Sequence, residues 1–281
     1  MADRVVAVLG QGVVPADSLV LRADDLGALR GDGVFETMHV RDGRPWLLDA
    51  HLARMGRSAA RLELALPPVA RLVELATQAC AEWPAGQEGA LRLVCTRGVE
   101  DGGPVTVYAT LAPVGAAALR ARRAGVAVVT AALGYPADAR AGAPWLLGGV
   151  KSLSYAVNMA TLRWAAGRGA DDALWVSTDG WALEAPTATL VWAAGDALCT
   201  VPAERTGILP GCTGRWLLDH AGQLGLRAEE RMVRPDELAA ADGAWLVSSV
   251  RGVAAVRTLD GVPLPASAHT DRIRDLLGFP G

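Results

Sequence analysis

Lysine is almost absent from this chain of 281 residues, which contains a single lysine, Lys151, against 26 arginines. Arginine can replace lysine wherever only a positive charge is needed, but its guanidinium stays protonated and cannot serve as a nucleophilic amine. A drift of composition toward arginine would therefore spare a lysine only where amine chemistry is required. The alternative is that Lys151 survives by chance, as a solvated surface residue.

Cysteine and histidine are also scarce, with four of each. Their spacing fits neither a zinc site nor a dense disulfide scaffold, so we expect no metal and a reducing compartment, the cytoplasm. The first residues lack the layout of a secretory signal. The residues concerned are Cys80, Cys95, Cys199, Cys212, His39, His51, His220 and His269.

Blocks of like charge and long apolar runs are missing as well. The formal net charge is −3, and the densest basic group is only Arg120, Arg122 and Arg123, which argues against a nucleic-acid partner. No uncharged apolar stretch reaches the ~18 residues of a membrane span. Hydrophobic residues make up 51% of the chain, which indicates either a well-packed globule or an oligomer that hides apolar surface.

The N-terminal part of the chain has the pattern of a small α+β unit. One predicted helix starts with Asp49 as its N-cap and runs to Leu64, burying Leu52, Met55, Ala59 and Leu62, and a second follows Pro67-Pro68 and runs to Trp83. The period-2 pattern predicts strands at 5–9, 34–40, 90–97 and 105–111.

A domain boundary is predicted within 112–124, where the strand signal is weakest and arginine densest. We therefore expect a small N-terminal α/β domain at 1–117 and a larger C-terminal domain at 118–281. The pattern in the second domain predicts a loop at 133–149, strands at 125–132, 172–177 and 182–193, and helices at 155–168, 212–224 and 270–278.

Lys151 ends a glycine-rich loop and directly precedes a predicted helix. Its flanking Gly148 and Gly149 would allow a planar ligand to approach closely. An amine in such an apolar setting has a lowered pKa and readily forms a Schiff base. A pyridoxal 5′-phosphate (PLP) site would also need an acid for the ring nitrogen, donors for the phosphate and an anchor for the substrate carboxylate.

Three features of the sequence could supply those parts. Glu184 lies in an apolar strand-like run, where an unpaired carboxylate would be costly; it could also be an outward-facing charge. The glycine-rich turn at 207–214 opens a helix, whose first N–H groups bind phosphate readily, although many such turns bind nothing. Arg54 could reach a phosphate or be an ordinary exposed helix residue.

Six motifs, in this order, resemble the fold-type IV PLP enzymes from about residue 20 to 262. This family includes the branched-chain aminotransferases, the D-amino-acid aminotransferases and the 4-amino-4-deoxychorismate lyases. The motifs are Gly31-Asp32-Gly33-Val34-Phe35-Glu36-Thr37, His51-Leu52-Ala53-Arg54-Met55, Lys151-Ser152-Leu153-Ser154-Tyr155, Leu183-Glu184-Ala185, Leu209-Pro210-Gly211-Cys212-Thr213 and Val247-Ser248-Ser249.

The resemblance implies a role for each matching residue. Lys151 corresponds to the lysine that forms a Schiff base with PLP, and Glu184 to the acid that pairs with the pyridine nitrogen. Tyr155 would lie beside the ring. The phosphate would be bound by Arg54, Cys212, Thr213 and Ser249. Here Gly214 precedes Arg215, where the family usually has threonine followed directly by arginine, and this departure leaves the side-chain role of Thr213 open.

The resemblance also implies a fold and an assembly. We expect a mixed α/β protein of two domains, a small α/β sandwich followed by a larger α/β domain with a barrel-like sheet. Family members are usually homodimers, which agrees with the high apolar content. The substrate would be a small carboxylic acid that bears an amine.

The substrate is expected to contact residues around the cofactor ring. Phe35 and Thr37 share one face of the strand at 34–40, and Thr37 could help protonate a leaving group. Arg97 and Arg251 are candidates for binding a carboxylate, although each could instead pair at the surface. The run Ser248–Val253 resembles the lyases more than the branched-chain aminotransferases.

The favoured activity is therefore 4-amino-4-deoxychorismate lyase, which eliminates pyruvate to give 4-aminobenzoate for folate synthesis. An aminotransferase acting on D-alanine or branched-chain amino acids uses the same lysine and acid, so the shared motifs do not separate the two. A PLP-binding protein without turnover and a PLP-independent Schiff-base aldolase also remain open, although the aldolase would not explain the phosphate turn.

Overall fold

A computed structural model describes residues 4–100 and 102–279. Residues 1–3, on which the expectation about a secretory signal partly depends, lie outside that range. The chain divides into two compact units: the first ends at Gly115 and also includes Val150–Tyr155, and the second comprises Ala116–Gly149 and the chain from Ala156 onward. Lys151 and Tyr155 thus belong to the first unit, whereas the sequence analysis assigned them to the C-terminal domain.

The first unit contains an antiparallel six-stranded sheet in the order β2-β1-β6-β5-β3-β4. Its long central strands pair residue by residue, with Phe35 opposite Val94 and Thr37 opposite Arg92. The strands are β1 (Val5–Val8), β2 (Gly12–Val14), β3 (Gly33–Arg41), β4 (Arg44–Pro45), β5 (Gly89–Thr96) and β6 (Thr106–Pro113).

Three helices complete the first unit: α1 (Leu26–Arg30), α2 (Leu48–Arg61) and α3 (Val69–Ala81). Leu52, Met55 and Ala59 of α2 are buried, which confirms the predicted apolar face at these positions, and they join the core formed with the sheet. Asp49 is not the N-cap: it lies in the first turn, and Leu47 precedes the helix in the left-handed conformation.

The second unit contains an eight-stranded mixed sheet in the order β11-β10-β9-β12-β13-β7-β8, with β14 paired to β13. Its three parallel pairings are β10 with β11, β13 with β7 and β7 with β8. The strands are β7 (Val126–Ala132), β8 (Asp172–Val176), β9 (Thr189–Ala194), β10 (Ala197–Thr200), β11 (Arg227–Glu230), β12 (Gly243–Ser248), β13 (Gly252–Leu259) and β14 (Val262–Pro263).

Helices of the second unit border this sheet, and a core of buried apolar residues centres on Leu190, Trp192 and Leu246. Short 3₁₀ turns occupy Pro144–Leu146 and Ala221–Leu224. The α-helices are α4 (Ala116–Ala124), α5 (Ala156–Ala166), α6 (Ala203–Thr206), α7 (Cys212–Asp219), α8 (Pro235–Ala239) and α9 (His269–Leu277).

The sequence-based prediction of one strand over 182–193 is wrong in its first half. Strand β9 begins only at Thr189, and Ala182 and Ala185 make isolated bridges instead. Pro186 explains the break, because proline has no N–H to donate to a strand ladder. Glu184 therefore lies in an irregular segment that precedes the strand.

Candidate active site

The backbone of Lys151 is fixed along the edge of β3. Phe35 N–H donates to the Lys151 carbonyl at 3.1 Å, and Leu153 N–H donates to the Gly33 carbonyl at 2.9 Å. Lys151 N–H donates in turn to Ser58 Oγ at 3.1 Å. These hydrogen bonds explain why Val150–Tyr155 belongs to the first unit, far along the chain from its other residues.

The Lys151 amine lies beside two aromatic rings. Its Nζ is 3.1 Å from Tyr155 Oη and 4.4 Å from the centroid of the Phe35 ring. The two rings meet edge to face, with their centroids 5.1 Å apart. The structure thus brings together three residues that the sequence analysis selected, around the one amine side chain in the chain.

Thr37 and an unpredicted arginine extend the same face of the sheet. Thr37 is two residues beyond Phe35 on β3, so the two side chains point to the same side, and Arg92 is its cross-strand partner on β5. Arg92 is exposed, and its guanidinium carbon lies 5.6 Å from the Phe35 ring centroid. The signal that could have revealed it is one charged residue inside the apolar run Leu91–Val94.

Arg54 is not an exposed helix residue, because only 4% of it is accessible. Its Nε and Nη2 donate to the two carboxylate oxygens of Glu36 at 2.8 and 2.6 Å. His51 Nδ1 lies 2.6 Å from the same carboxylate. Glu36 and His51 are both completely buried, so α2 and β3 together hold a charged cluster inside the first unit.

Burial and the neighbouring charged groups act in opposite directions on the pKa values of Glu36 and His51. Burial alone would raise the pKa of Glu36, but the charge and hydrogen bonds of Arg54, with a hydrogen bond from His51, lower it to about 2. Burial lowers the pKa of His51, Glu36 opposes that effect, and the positive charges of Arg54 and Lys151 add to it. The last contribution places Lys151 within electrostatic range of this cluster.

Arg97, a predicted carboxylate ligand, is held by groups of the first unit. Its Nε donates to Asp32 at 2.7 Å, and its Nη2 donates to the Leu62 carbonyl at 2.6 Å. The pairing that the sequence analysis considered as the alternative is therefore the arrangement observed for this arginine. A substrate-binding role for Arg97 stays a prediction.

In the second unit, Glu184 is a buried carboxylate with partners. It is 9% exposed, and the Leu209 N–H lies 3.3 and 3.2 Å from its two oxygens. Arg140 Nη1 is 3.6 Å from Glu184 Oε1. Glu184 is thus an inward-facing acid rather than an outward-facing surface charge.

The turn that opens α7 has the features of an anion site. Gly211 precedes the helix, no side chain caps it, and its first turn contains no acidic residue. Thr213 is 1% exposed, Cys212 is 9% exposed, and Thr213 Oγ1 lies 3.4 Å from Ser249 Oγ. Three predicted phosphate ligands therefore meet where the helix dipole favours negative charge.

The turn after β12 carries Ser249 and Arg251. Arg251 Nη1 donates to Asp172 at 2.7 Å, and the Asp172 carboxylate is almost fully buried. Arg122, from the basic group in the sequence, is 1% exposed and donates to the carbonyls of Val250 and Arg251. A substrate-binding role for Arg251 stays a prediction.

Gly148 and Gly149, which precede Lys151, pack closely against other residues of the second unit. A Cβ atom on Gly148 would meet the Arg140 Cβ at 2.9 Å and the Gly207 Cα at 3.2 Å. Its neighbour Gly149 has φ of 72° and donates to the Gly207 carbonyl. Both glycines thus serve packing within the second unit, and the close approach of a planar ligand stays a prediction.

Comparison with known proteins identifies the class of enzyme to which the chain belongs. The chain belongs to the amino-transferase class IV family, whose sequence profile matches residues 33–259. The mixed α/β fold with two sheets agrees with solved members of fold-type IV, which confirms the predicted fold class. The resemblance found in the motifs is confirmed as well.

Three individual proteins match the chain over most of its length. The chain is 44% identical to a Mycobacterium tuberculosis protein named bifunctional aminodeoxychorismate lyase / D-amino acid transaminase, over 97% of both chains. It is 28% identical to the Bacillus licheniformis D-alanine aminotransferase, over 87% of this chain and 85% of that one. The PLP-bound form of a hypothetical aminotransferase from Mycobacterium tuberculosis matches with a TM-score of 0.94 and 42% identity, over 98% and 97% of the two chains.

The described residues also bear on a membrane location and on metal binding. Across 4–100 and 102–279, every helix falls short of the length and apolar character that a bilayer crossing requires. Within the same ranges, histidine, cysteine and acidic side chains do not gather in a group of three or more that would suit a metal ion.

Proposed function

We propose that this protein is a PLP-dependent 4-amino-4-deoxychorismate lyase that forms pyruvate and 4-aminobenzoate for folate synthesis. The observation that carries the proposal is the Lys151 amine, which lies beside Phe35 and Tyr155 in a chain that has no other lysine. Support for the lyase reaction comes from the relative at 44% identity whose name includes that activity.

The residues present suit PLP. Lys151 offers the amine for the cofactor's aldehyde, and Glu184 offers a buried, hydrogen-bonded carboxylate for the ring nitrogen. The first turn of α7, with Thr213 and Ser249, offers donors for a phosphate dianion. When bound, PLP supplies an electron sink that stabilises negative charge at the carbon next to the substrate amine.

Lys151 and Thr37 are the residues that transfer protons in the proposed reaction. Lys151 Nζ is the general base that takes the proton from the ring carbon bearing the amine. Tyr155 Oη, 3.1 Å away, orients that Nζ. Thr37 shares the face of β3 with Phe35 and is the hydroxyl that we assign to protonation of the departing three-carbon group.

Arg92 is the carboxylate anchor that the geometry favours. The substrate is a carboxylic acid, and an arginine can bind a carboxylate through two parallel hydrogen bonds. Arg92 is exposed, lies opposite Thr37 and approaches the Phe35 ring. Arg97 and Arg251 already pair with Asp32 and Asp172, so using either for substrate would require it to share or leave its partner.

Transamination of D-amino acids is the second candidate activity. It is favoured by the same relative, whose name includes D-amino acid transaminase, and by the Bacillus licheniformis D-alanine aminotransferase. In that reaction Lys151 would move a proton between the substrate and the cofactor. Both activities use the same amine and the same acid, so one site can support both.

The deciding experiment offers purified, PLP-loaded protein either aminodeoxychorismate alone or a panel of amino acids with 2-oxoglutarate. The lyase proposal expects 4-aminobenzoate and pyruvate in equal amounts without any keto-acid acceptor. Keto-acid formation from D-alanine or from leucine, with no 4-aminobenzoate from aminodeoxychorismate, would refute the lyase and leave a transaminase.

The expected assembly and location belong to the same proposal. We place the enzyme in the cytoplasm as a homodimer. Four buried cysteine thiols, none of them in a disulfide, suit a reducing compartment, and exposed apolar side chains such as Trp145 and Val157 suit a surface covered by a second copy. Sedimentation equilibrium would test the dimer, and a monomer at micromolar concentration would contradict it.

A further inference from the structure

Arg140 lies in the loop between β7 and α5 and contacts the candidate ring-nitrogen acid. Its Nη1 is 3.6 Å from Glu184 Oε1 and donates to the Gly207 carbonyl at 2.8 Å. Its Nε donates to Tyr135 Oη at 2.8 Å. The side chain is 16% exposed, so three partners fix the guanidinium in a largely buried position.

The backbone around Arg140 is shaped to admit its side chain. Gly207 has φ of 64°, and a Cβ atom there would approach the Arg140 Cβ to 2.6 Å. A Cβ on Gly148 would meet the same Arg140 atom at 2.9 Å. Two glycines from separate loops thus make room for the arginine, while Leu209, two residues beyond Gly207, supplies the N–H that binds Glu184.

We propose that Arg140 is a positioning residue that keeps Glu184 in place and negatively charged, so that the carboxylate pairs with a protonated cofactor nitrogen. This inference rests on the proposed PLP function. It assigns a role to a loop residue that no sequence motif of the chain singles out.

The Arg140 guanidinium lies against the Glu184 carboxylate itself. Burial disfavours the charged form of a carboxylate unless a positive charge or hydrogen-bond donors compensate. A positive charge at 3.6 Å opposes that tendency and acts most strongly on the group that it touches. With PLP bound, a negatively charged Glu184 would favour a proton on the ring nitrogen, which would make the ring a better acceptor of electrons.

The test compares the affinity of the apoprotein for PLP and for an analogue in which C–H replaces the ring nitrogen. Arg140→Gln should weaken PLP binding about tenfold, equivalent to about 1.4 kcal/mol, and should change binding of the analogue less than twofold. Arg140→Lys, which keeps the charge, should retain most of the preference for PLP. Arg205→Gln, a matched change at an exposed position nearby, should alter neither affinity.

A second readout follows the proton directly. The nitrogen-15 resonance of labelled PLP bound to the wild-type protein should report a protonated ring nitrogen, and Arg140→Gln should shift it toward the unprotonated value. An equal loss of affinity for both compounds would mean that Arg140 only maintains the loop, and would overturn the inference. Unchanged affinities with an unchanged resonance would overturn it as well. A wild-type protein that binds neither compound would refute the proposed function itself.

Discussion

The Lys151 amine lies 3.1 Å from the Tyr155 phenol oxygen, and both residues belong to the short segment Val150–Tyr155. The segment is anchored by backbone hydrogen bonds to β3, which hold the main chain that carries both side chains. A general base works efficiently only when its position relative to the transferred proton is fixed. Lys151 and Tyr155 are therefore the residues of the candidate site on which proton transfer depends.

Replacing Tyr155 with phenylalanine should reduce turnover while the cofactor remains attached to Lys151. The change removes one hydrogen bond to the neutral amine that acts as the base, which contributes about 0.5–1.5 kcal/mol, so kcat should fall by roughly two- to tenfold. Steady-state kinetics together with the visible absorption spectrum would measure both properties. A Tyr155→Phe variant with wild-type kcat would show that the phenol does not orient the amine.

Replacing Glu184 with glutamine should separate cofactor binding from chemistry. The amide keeps the size of the side chain but cannot hold a proton on the ring nitrogen by its charge, so turnover should drop by orders of magnitude while PLP still binds. Equilibrium dialysis and a single-turnover assay test the two parts separately. Near-normal turnover in Glu184→Gln would contradict the assignment of this acid.

Arg92 and Arg251 should respond differently to substitution by alanine. Arg92→Ala should raise KM for the carboxylate substrate about tenfold, because one charge-assisted contact is lost, with little change in thermal stability. Arg251→Ala should mainly destabilise the fold, by about 3–5 kcal/mol, because it leaves buried Asp172 without its partner.

The sequence alone predicts a KM effect for Arg251, so this pair of variants compares the two expectations directly. A raised KM for a stable Arg251→Ala protein, with an unchanged KM for Arg92→Ala, would restore the prediction from sequence. Thermal unfolding and initial rates on the same preparations provide the comparison.

The cluster of Glu36, His51 and Arg54 should make stability fall in acid. The pKa of Glu36 is lowered from 4.5 to about 2, so its contribution is complete above 4.5 and is lost as the pH falls toward 2, on the order of 3 kcal/mol in all. The lowered pKa of His51 acts in the same direction below pH 6.5. Urea unfolding between pH 7 and 3 measures the slope.

Glu36→Gln provides the matched test of that slope. It should destabilise the protein at pH 7 and flatten the pH dependence, whereas Glu74→Gln, at an exposed position on α3, should leave both unchanged. An unaltered slope in Glu36→Gln would assign the acid sensitivity to other groups.

The sequence predicts most of the local elements because their patterns are periodic. The apolar face of α2 is an example, and the unique lysine with its flanking motifs provides the candidate amine of the site. Elements interrupted by special residues are harder to predict: Pro186 ends the ladder before β9, and the weak strand signal near the domain boundary conceals α4, which contains good helix formers such as alanine and arginine.

The sequence could not predict which groups pair with its charged residues. Arg97, Arg251 and Arg140 all pair with carboxylates distant in the chain, and Arg92 becomes a candidate only when β3 and β5 align it with Thr37. Such pairings depend on tertiary structure, because spacing along one element says nothing about the residue across from it. For the same reason the sequence did not reveal that Arg54 pairs with Glu36, and its role as a phosphate ligand stays a prediction.

The most direct measurement is reduction of the PLP-loaded protein with borohydride, followed by digestion and mass spectrometry. The account predicts one modified peptide, the one containing Lys151, with the cofactor mass on that residue and none after Lys151→Ala. Because the chain has no second lysine, the N-terminal amine is the other place for a label. A protein that saturates with PLP yet carries no adduct on Lys151 would contradict the central claim.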